Sequence, residues 1–278
     1  MDYKPRQRLM DMLERLIKTS KERETILCFG LDPDHERIKK AVSAGTEVEE
    51  TIGPFFHEII DRLLEENAIA ALKPNYAYFA QHGFDGLYVL EELIQHYKSK
   101  VPVILDAKRG DIGKSSEAYA REAYDFWGAD AVTISPYMGE DSVKPFVREG
   151  KLAYMLCRTS NPGAKDFEEL EAGKKQVFEH VAEKALAWKT GLVVGATSDA
   201  IKKVVRETGN RVPFLIPGVG AQGGDLKMVM EAIKGNVPIH RINASSSIAY
   251  AFEKSGKQAA DAALDEAEKL NAVIRKYL

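Results

Sequence analysis

The densest chemistry in this chain sits in six residues, Asp106-Ala-Lys108-Arg-Gly-Asp111. They close an apolar run, Val101-Pro-Val-Ile-Leu105, that reads as a buried strand ending at Asp106. Residues two apart on a strand project to one face, so Asp106 and Lys108 should point the same way from its C-terminal end. A carboxylate beside an ammonium keeps it charged, and a charged ammonium can offset negative charge growing on a substrate or deliver a proton to it. Asp111 follows in the loop, able to approach the lysine from another side or to reach away from the subunit. A surface salt bridge after a strand is the plain alternative, worth only about 0–1 kcal/mol. The rest of the chain argues against it.

Lys73, in Leu72-Lys73-Pro-Asn75, ends another strand-like run and should face the same side as Asp106. A buried ammonium without partners would lose its proton, so carboxylates on either side make Lys73, Asp106, Lys108 and Asp111 a self-consistent network. Gly218-Val-Gly220-Ala-Gln222-Gly223-Gly224 contains G-x-G-x-x-G. It lies late in the chain, however, and lacks the acidic residue about 20 positions on that a dinucleotide fingerprint expects. A phosphate loop fits better, because glycines let backbone N–H groups approach an anion at a helix N-terminus; a tight turn that needs glycine for geometry alone is the plain alternative. The six histidines, His35, His57, His82, His96, His180 and His240, show no ligand-like spacing. No Gly-x-Ser-x-Gly elbow occurs.

Strand-like runs that could position these groups alternate with helical patterns along the chain: Thr25-Asp32, Ala68-Asn75, Val101-Lys108, Ala129-Pro136, Leu152-Ser160, Leu192-Thr197, Phe214-Gly220 and Ile239-Ser245. Eight strand-helix units imply an α/β fold, a (β/α)8 TIM barrel, since parallel strands need crossover helices and eight close without an edge. A doubly wound open sheet is the alternative. Polar residues cluster at the strand ends, Asp32, Lys73, Asn75, Asp106, Lys108, Ser160, Gln222 and the Ser245–Ser247 run, and in a barrel these converge on one mouth. No linker divides the chain, so residues 1–278 read as a single domain, opened by an amphipathic helix at about residues 4–19. The charged stretch Gly163–Gly173 reads as a mobile loop over the mouth, with a merely solvated loop as the plain alternative.

The chain of 278 residues is 45% apolar, enough for a full core, and carries a net charge of -3. That balance leaves no basic footprint for nucleic acid or an anionic membrane. No apolar stretch reaches the roughly 18–20 residues of a membrane span, and the N-terminus lacks a signal core. A cytoplasmic protein is expected, with Cys28 and Cys157 as small buried thiols.

Taken in order, Phe29-Gly-Leu-Asp32-Pro, Leu72-Lys73-Pro-Asn75, Leu105-Asp106-Ala-Lys108-Arg-Gly-Asp111-Ile, Thr159-Ser160-Asn-Pro-Gly-Ala and Pro217-Gly-Val-Gly-Ala-Gln222-Gly223-Gly closely resemble the orotidine 5'-phosphate decarboxylases, in their longer bacterial form (type 2). The resemblance covers about Thr25 to Tyr250. It implies decarboxylation of orotidine 5'-phosphate to UMP in pyrimidine synthesis by a homodimer with shared active sites, needing neither metal nor organic cofactor. It implies a catalytic tetrad of Lys73, Asp106, Lys108 and Asp111, with Asp111 serving the neighbouring subunit's site. Asp32 and Lys73 would contact ribose hydroxyls near Asn75, Ser115 would come from the partner loop, Ser160 would bond the pyrimidine, and Gln222 with Gly223 would meet pyrimidine and phosphate.

One position departs from the pattern. Where the family carries an arginine that grips the phosphate, Asn243-Ala-Ser-Ser246-Ser-Ile has Ser246. Arg241 shares the strand phase but should lie deeper. Loss of CO2 from C6 leaves a localised carbanion, which Lys108 would stabilise and protonate. Two rivals stand beside this reading: a metal-dependent sugar-phosphate aldolase or decarboxylase on the same barrel, and a nucleotide-binding protein weakened at its phosphate site.

Overall fold

The computed structural model describes residues 10–42, 45, 47–219 and 224–278. Eight parallel strands form the central sheet: β1 (Leu27–Leu31), β2 (Ala71–Pro74), β3 (Ile104–Arg109), β4 (Ala131–Ile134), β5 (Leu152–Arg158), β8 (Gly191–Val194), β9 (Phe214–Ile216) and β10 (Arg241–Ala244). A two-stranded hairpin, β6 (Glu171–Ala172) and β7 (Lys175–Gln176), stands apart from it. The strand order is β2-β1-β10-β9-β8-β5-β4-β3. Parallel bridges from Leu72 to Val103 and from Asn75 to Asp106 join the two ends and close the barrel.

Helices such as Val48–Glu65, Gly83–Tyr97, Val177–Trp188 and Ala259–Ile274 cover the outside. Alternation along each strand splits the apolar residues into two layers. Phe29, Leu105, Val132, Met155, Leu192 and Ile242 face outward into the layer under the helices. Cys28, Ala71, Ile104, Ala131, Tyr154, Val193 and Leu215 face inward and fill the barrel's lower half together with Met12 and Leu16.

Met12 and Leu16 belong to the opening helix, Met10–Arg23, which seals the base. This corrects the expected span: the helix runs on past residue 19, because Thr19 and Ser20 are buried rather than a polar exit, and Thr19 Oγ1 donates to the carbonyl of Arg15. Residues 4–9 of that expectation lie outside the described residues. Arg15 pairs with Asp130, whose other oxygen accepts from Val103 N at 2.9 Å, tying the helix to the barrel.

After β4 the chain forms a short helix, Glu140–Val143, and a 3-10 turn, Lys144–Phe146, and the helix Gly113–Arg121 continues as a π-turn through Phe126. The stretch 163–173, read as a mobile loop, contains the helix Ala164–Phe167 and strand β6. It is tethered by Arg158 to Glu169 at 2.6 Å and by Thr159 Oγ1 to Glu168 Oε1 at 2.8 Å. Glu168 and Glu169 thus hold the stretch against the end of β5, a use of charge that composition does not reveal.

Candidate active site

Two residues higher in the same inward phase, the barrel interior turns polar on four of the strands. Above Ala71, Ile104 and Ala131 stand Lys73, Asp106 and Thr133, and Asn243 stands above Arg241. Glycine at position 30 brings β1 close to β10 at this level, since a Cβ there would collide with the Ser245 side chain. The resulting mouth encloses a cavity of about 520 Å³ whose lining includes Asp32, Lys73, Asn75, Asp106, Lys108, Thr133, Ser160, Asn243 and Ser246.

Four charges of alternating sign cross it. Lys73 Nζ lies 3.9 Å from Asp32 Oδ1 and donates to Asp106 Oδ2 at 2.9 Å, and Lys108 Nζ donates to Asp106 Oδ1 at 2.7 Å. The Lys73 and Asp106 side chains are 5% and 9% exposed, whereas Lys108 is 49% exposed and reaches into the open mouth. Burial alone would raise the Asp106 carboxyl, but Lys73 and then Lys108 outweigh it and hold the group well below the usual carboxylate range. Burial alone would likewise strip Lys73 of its proton, yet Asp106 and then Asp32 keep its ammonium above its ordinary value. The buried thiol of Cys28 beneath is pushed up to about 12 by desolvation, which keeps it out of nucleophilic chemistry.

Lys108 does not reach this row by simple strand alternation, as the spacing suggested. The β3–β4 ladder slips between Leu105 and Arg109, and Lys108 has φ +46°. A left-handed backbone costs a non-glycine residue roughly 1–2 kcal/mol. Thr133 offsets that strain: its Oγ1 accepts from Lys108 N at 3.0 Å and donates to Asp106 Oδ1 at 2.7 Å. Arg109 anchors the bulge from outside, with Nη2 2.6 Å from Glu122 Oε1 and its guanidinium 4.4 Å from the Tyr76 ring. Sequence reading passed over Thr133, whose signal was a lone hydroxyl at an inward position of an otherwise apolar strand.

The expected residues separate into three groups. Asp32, Lys73, Asn75, Asp106, Lys108, Ser160 and Ser246 share the cavity. Asp111 and Ser115 do not line it: Asp111 Oδ1 accepts from Ile112 N at 2.8 Å, and Ser115 is exposed on the helix Gly113–Arg121. Gln222 and Gly223 lie outside the described residues. Arg241 is fully buried below the site, donating to the carbonyls of Pro238, His240 and Leu16, so it braces the barrel base and cannot grip a ligand at the mouth. Among the described residues, a group of three side chains suited to a metal lies on the outer helices, away from this row.

A closed parallel barrel with a charged row at the carboxyl ends of its strands defines a (β/α)8-barrel enzyme scaffold, the class whose active sites sit at that face. Residues 25–263 match the model of the orotidine 5'-phosphate decarboxylase / HUMPS family, and the chain belongs to that family. It is 42% identical over 258 residues to the orotidine 5'-phosphate decarboxylase of Delftia acidovorans, covering 88% of this chain and 91% of that one. Among solved structures it resembles Leishmania donovani OMP decarboxylase, with TM-score 0.79, 34% identity and coverage of 94% of this chain and 98% of that one. It also resembles Leishmania donovani UMP synthase, with TM-score 0.80 and 35% identity, covering 96% of this chain but 57% of the longer one.

Replacing Thr133 by valine keeps its volume but leaves the Lys108 amide without its partner, at about 1–3 kcal/mol, and takes from Asp106 Oδ1 one of its two donors, the other being Lys108 Nζ. Thr133→Val should therefore lower kcat by at least about tenfold with KM changed little. Steady-state kinetics on the folded variant check this, and an unchanged kcat would remove Thr133 from any positioning role.

Proposed function

We propose that this chain, as one barrel domain, decarboxylates orotidine 5'-phosphate to UMP in pyrimidine synthesis, with Lys108 as proton donor and without a metal or organic cofactor. The observation that carries the reading is the row Asp32–Lys73–Asp106–Lys108, with both lysines on one carboxylate. The bond from C6 to the carboxylate breaks, CO2 leaves, and the electron pair stays on C6 in an orbital the ring cannot delocalise. An ammonium already fixed beside that carbon offsets the charge without reorganising, then gives its proton to C6 and is reprotonated from solvent.

Asp106 faces the departing carboxylate in this reading. Two like charges about 4 Å apart repel by about 4 kcal/mol at an effective dielectric near 20, against the roughly 8–23 kcal/mol by which enzymes commonly lower barriers. Repulsion therefore contributes the smaller share and preorganised stabilisation of the carbanion the larger. Asp32 and Lys73 are assigned to the ribose hydroxyls beside Asn75; the buried Asp32 Oδ1, which accepts no hydrogen bond among the described residues, supports a donor from the ligand. Ser160 is assigned to the pyrimidine, Gln222 and Gly223 to pyrimidine and phosphate, and Ser246 stands at the phosphate end. The substrate is a soluble nucleotide, and no helix among the described residues is long and apolar enough to cross a membrane; both support a cytoplasmic enzyme.

Asp111 and Ser115 are assigned to the active site of a second copy in a homodimer. The exposed apolar side chains Ile112, Tyr137 and Met138 near the mouth support a partner on that side.

Incubating the chain with orotidine 5'-phosphate should lower the substrate's absorbance as UMP forms. Lys108→Ala should abolish turnover while nucleotide binding stays largely intact; substantial residual turnover would contradict the proton-donor role. Mixing Lys108→Ala with Asp111→Ala subunits should restore a fraction of sites if the sites are shared, and no recovery in proven mixed dimers would sink that arrangement. Ser246→Arg should raise kcat/KM for the nucleotide by roughly 10- to 100-fold, since hydrogen bonds to charged groups are worth about 1.5–3 kcal/mol. An unchanged or lower kcat/KM would show that the phosphate is held without a cation at this position.

A further inference from the structure

On the outside of the barrel, His57 of the helix Val48–Glu65 meets Glu92 and His96 of the helix Gly83–Tyr97. Glu92 and His96 are four apart and so share one helical face. One ligand atom from each of the three lies within 4.8 Å of the others, with His57 half-buried and its two partners exposed.

Proton counting constrains His57. Its Nδ1 is 2.7 Å from Tyr97 Oη, and Tyr97 Oη donates its single proton to Asp61 Oδ1 at 2.9 Å. Nδ1 must then be the donor in its bond to Tyr97, because neither partner otherwise has a hydrogen for it. This leaves Nε2 facing both Glu92 oxygens, at 2.9 and 2.7 Å. A neutral imidazole would present a lone pair there to a carboxylate, so the approach calls for a cation at Nε2, either a proton or a metal.

His96 separates these two occupants, because a proton has no use for it. Its Nε2 lies 2.8 Å from the Lys100 ammonium, a donor, and therefore carries a lone pair. Two imidazoles and one carboxylate are the ligand set of a zinc-type ion with an open fourth position. The Asp61–Tyr97–His57 chain is also the outer support such ligands require, since it fixes the tautomer and the ring orientation. With metal–nitrogen bonds of about 2.0–2.1 Å, neighbouring tetrahedral ligand atoms stand roughly 3.3 Å apart. Exposed Glu92 has only to back away slightly and His96 to turn from Lys100. A cleft of about 410 Å³ beside His57 and Glu92, lined also by Glu49 and Tyr88, leaves room for a water as fourth ligand.

We propose that His57, Glu92 and His96 bind one divalent transition-metal ion of the zinc type, which staples the helix Val48–Glu65 to the helix Gly83–Tyr97 independently of the barrel mouth. The test is Co²⁺ titration of the full, chelator-stripped chain, read by visible d–d absorption, with Zn²⁺ competition and thermal melting in parallel. One Co²⁺ per chain should bind, be displaced by Zn²⁺, and raise the melting temperature. Glu92→Gln and His96→Gln, both at exposed positions, should each weaken Co²⁺ binding more than tenfold and erase the metal-dependent rise in melting temperature. The metal-free melting temperature and the turnover should not change. Tyr97→Phe should weaken binding by about 10- to 100-fold through loss of the tautomer lock. Absence of a d–d band would mean that a proton alone occupies Nε2 and would overturn the proposal. Co²⁺ binding that survives both substitutions would overturn it equally, placing the ion elsewhere, such as the facing pair His35 and His82.

Discussion

One carboxylate shared by two ammonium groups organises the mouth of this barrel. Asp106 brings its oxygens to 2.9 Å from Lys73 and 2.7 Å from Lys108, in surroundings that leave its own side chain 9% exposed. Burying any one of these charges alone would cost several kcal/mol, and removing one partner of such a set typically costs about 3–5 kcal/mol because it strands the others. The group therefore exists only as a set. Its members come from β2 and β3, are braced by Thr133 on β4, and meet only because the sheet closes.

The closed sheet also separates stability from chemistry by height. The inward residues of the lower half are apolar and rest on Met12 and Leu16, and Arg241 spends its guanidinium on carbonyls of the base. On β2, β3, β4 and β10 the next inward rung is polar, with Lys73, Asp106, Thr133 and Asn243. Two-residue periodicity thus stacks a structural layer beneath a reactive one on the same strands. Arg241 illustrates the rule: two residues below Asn243 in the same phase, it is a structural cation because of its depth.

Under the proposed function, the serine at position 246 bears on how binding energy is distributed. A serine offers a phosphate no bidentate cation, and remote contacts raise turnover only when they are realised more fully in the transition state. Ser246 lines the same cavity as the intact charged row.

Much of this was written in the linear chain. Eight apolar runs with polar ends determined the barrel, and Asp106-Ala-Lys108-Arg-Gly-Asp111 with Lys73 determined where the reactive groups belong, because strand periodicity and the rule that sites gather at carboxyl ends are local facts. The left-handed turn at Lys108, the strand slip behind it and the bracing hydroxyl of Thr133 were decided by tertiary structure alone, since each depends on β4 lying beside β3. The same holds for the pinned segment after β5 and for the meeting of His57 with Glu92 and His96 on two separate helices. Sequence spacing records what one element presents, whereas a contact between elements exists only once packing has chosen their neighbours.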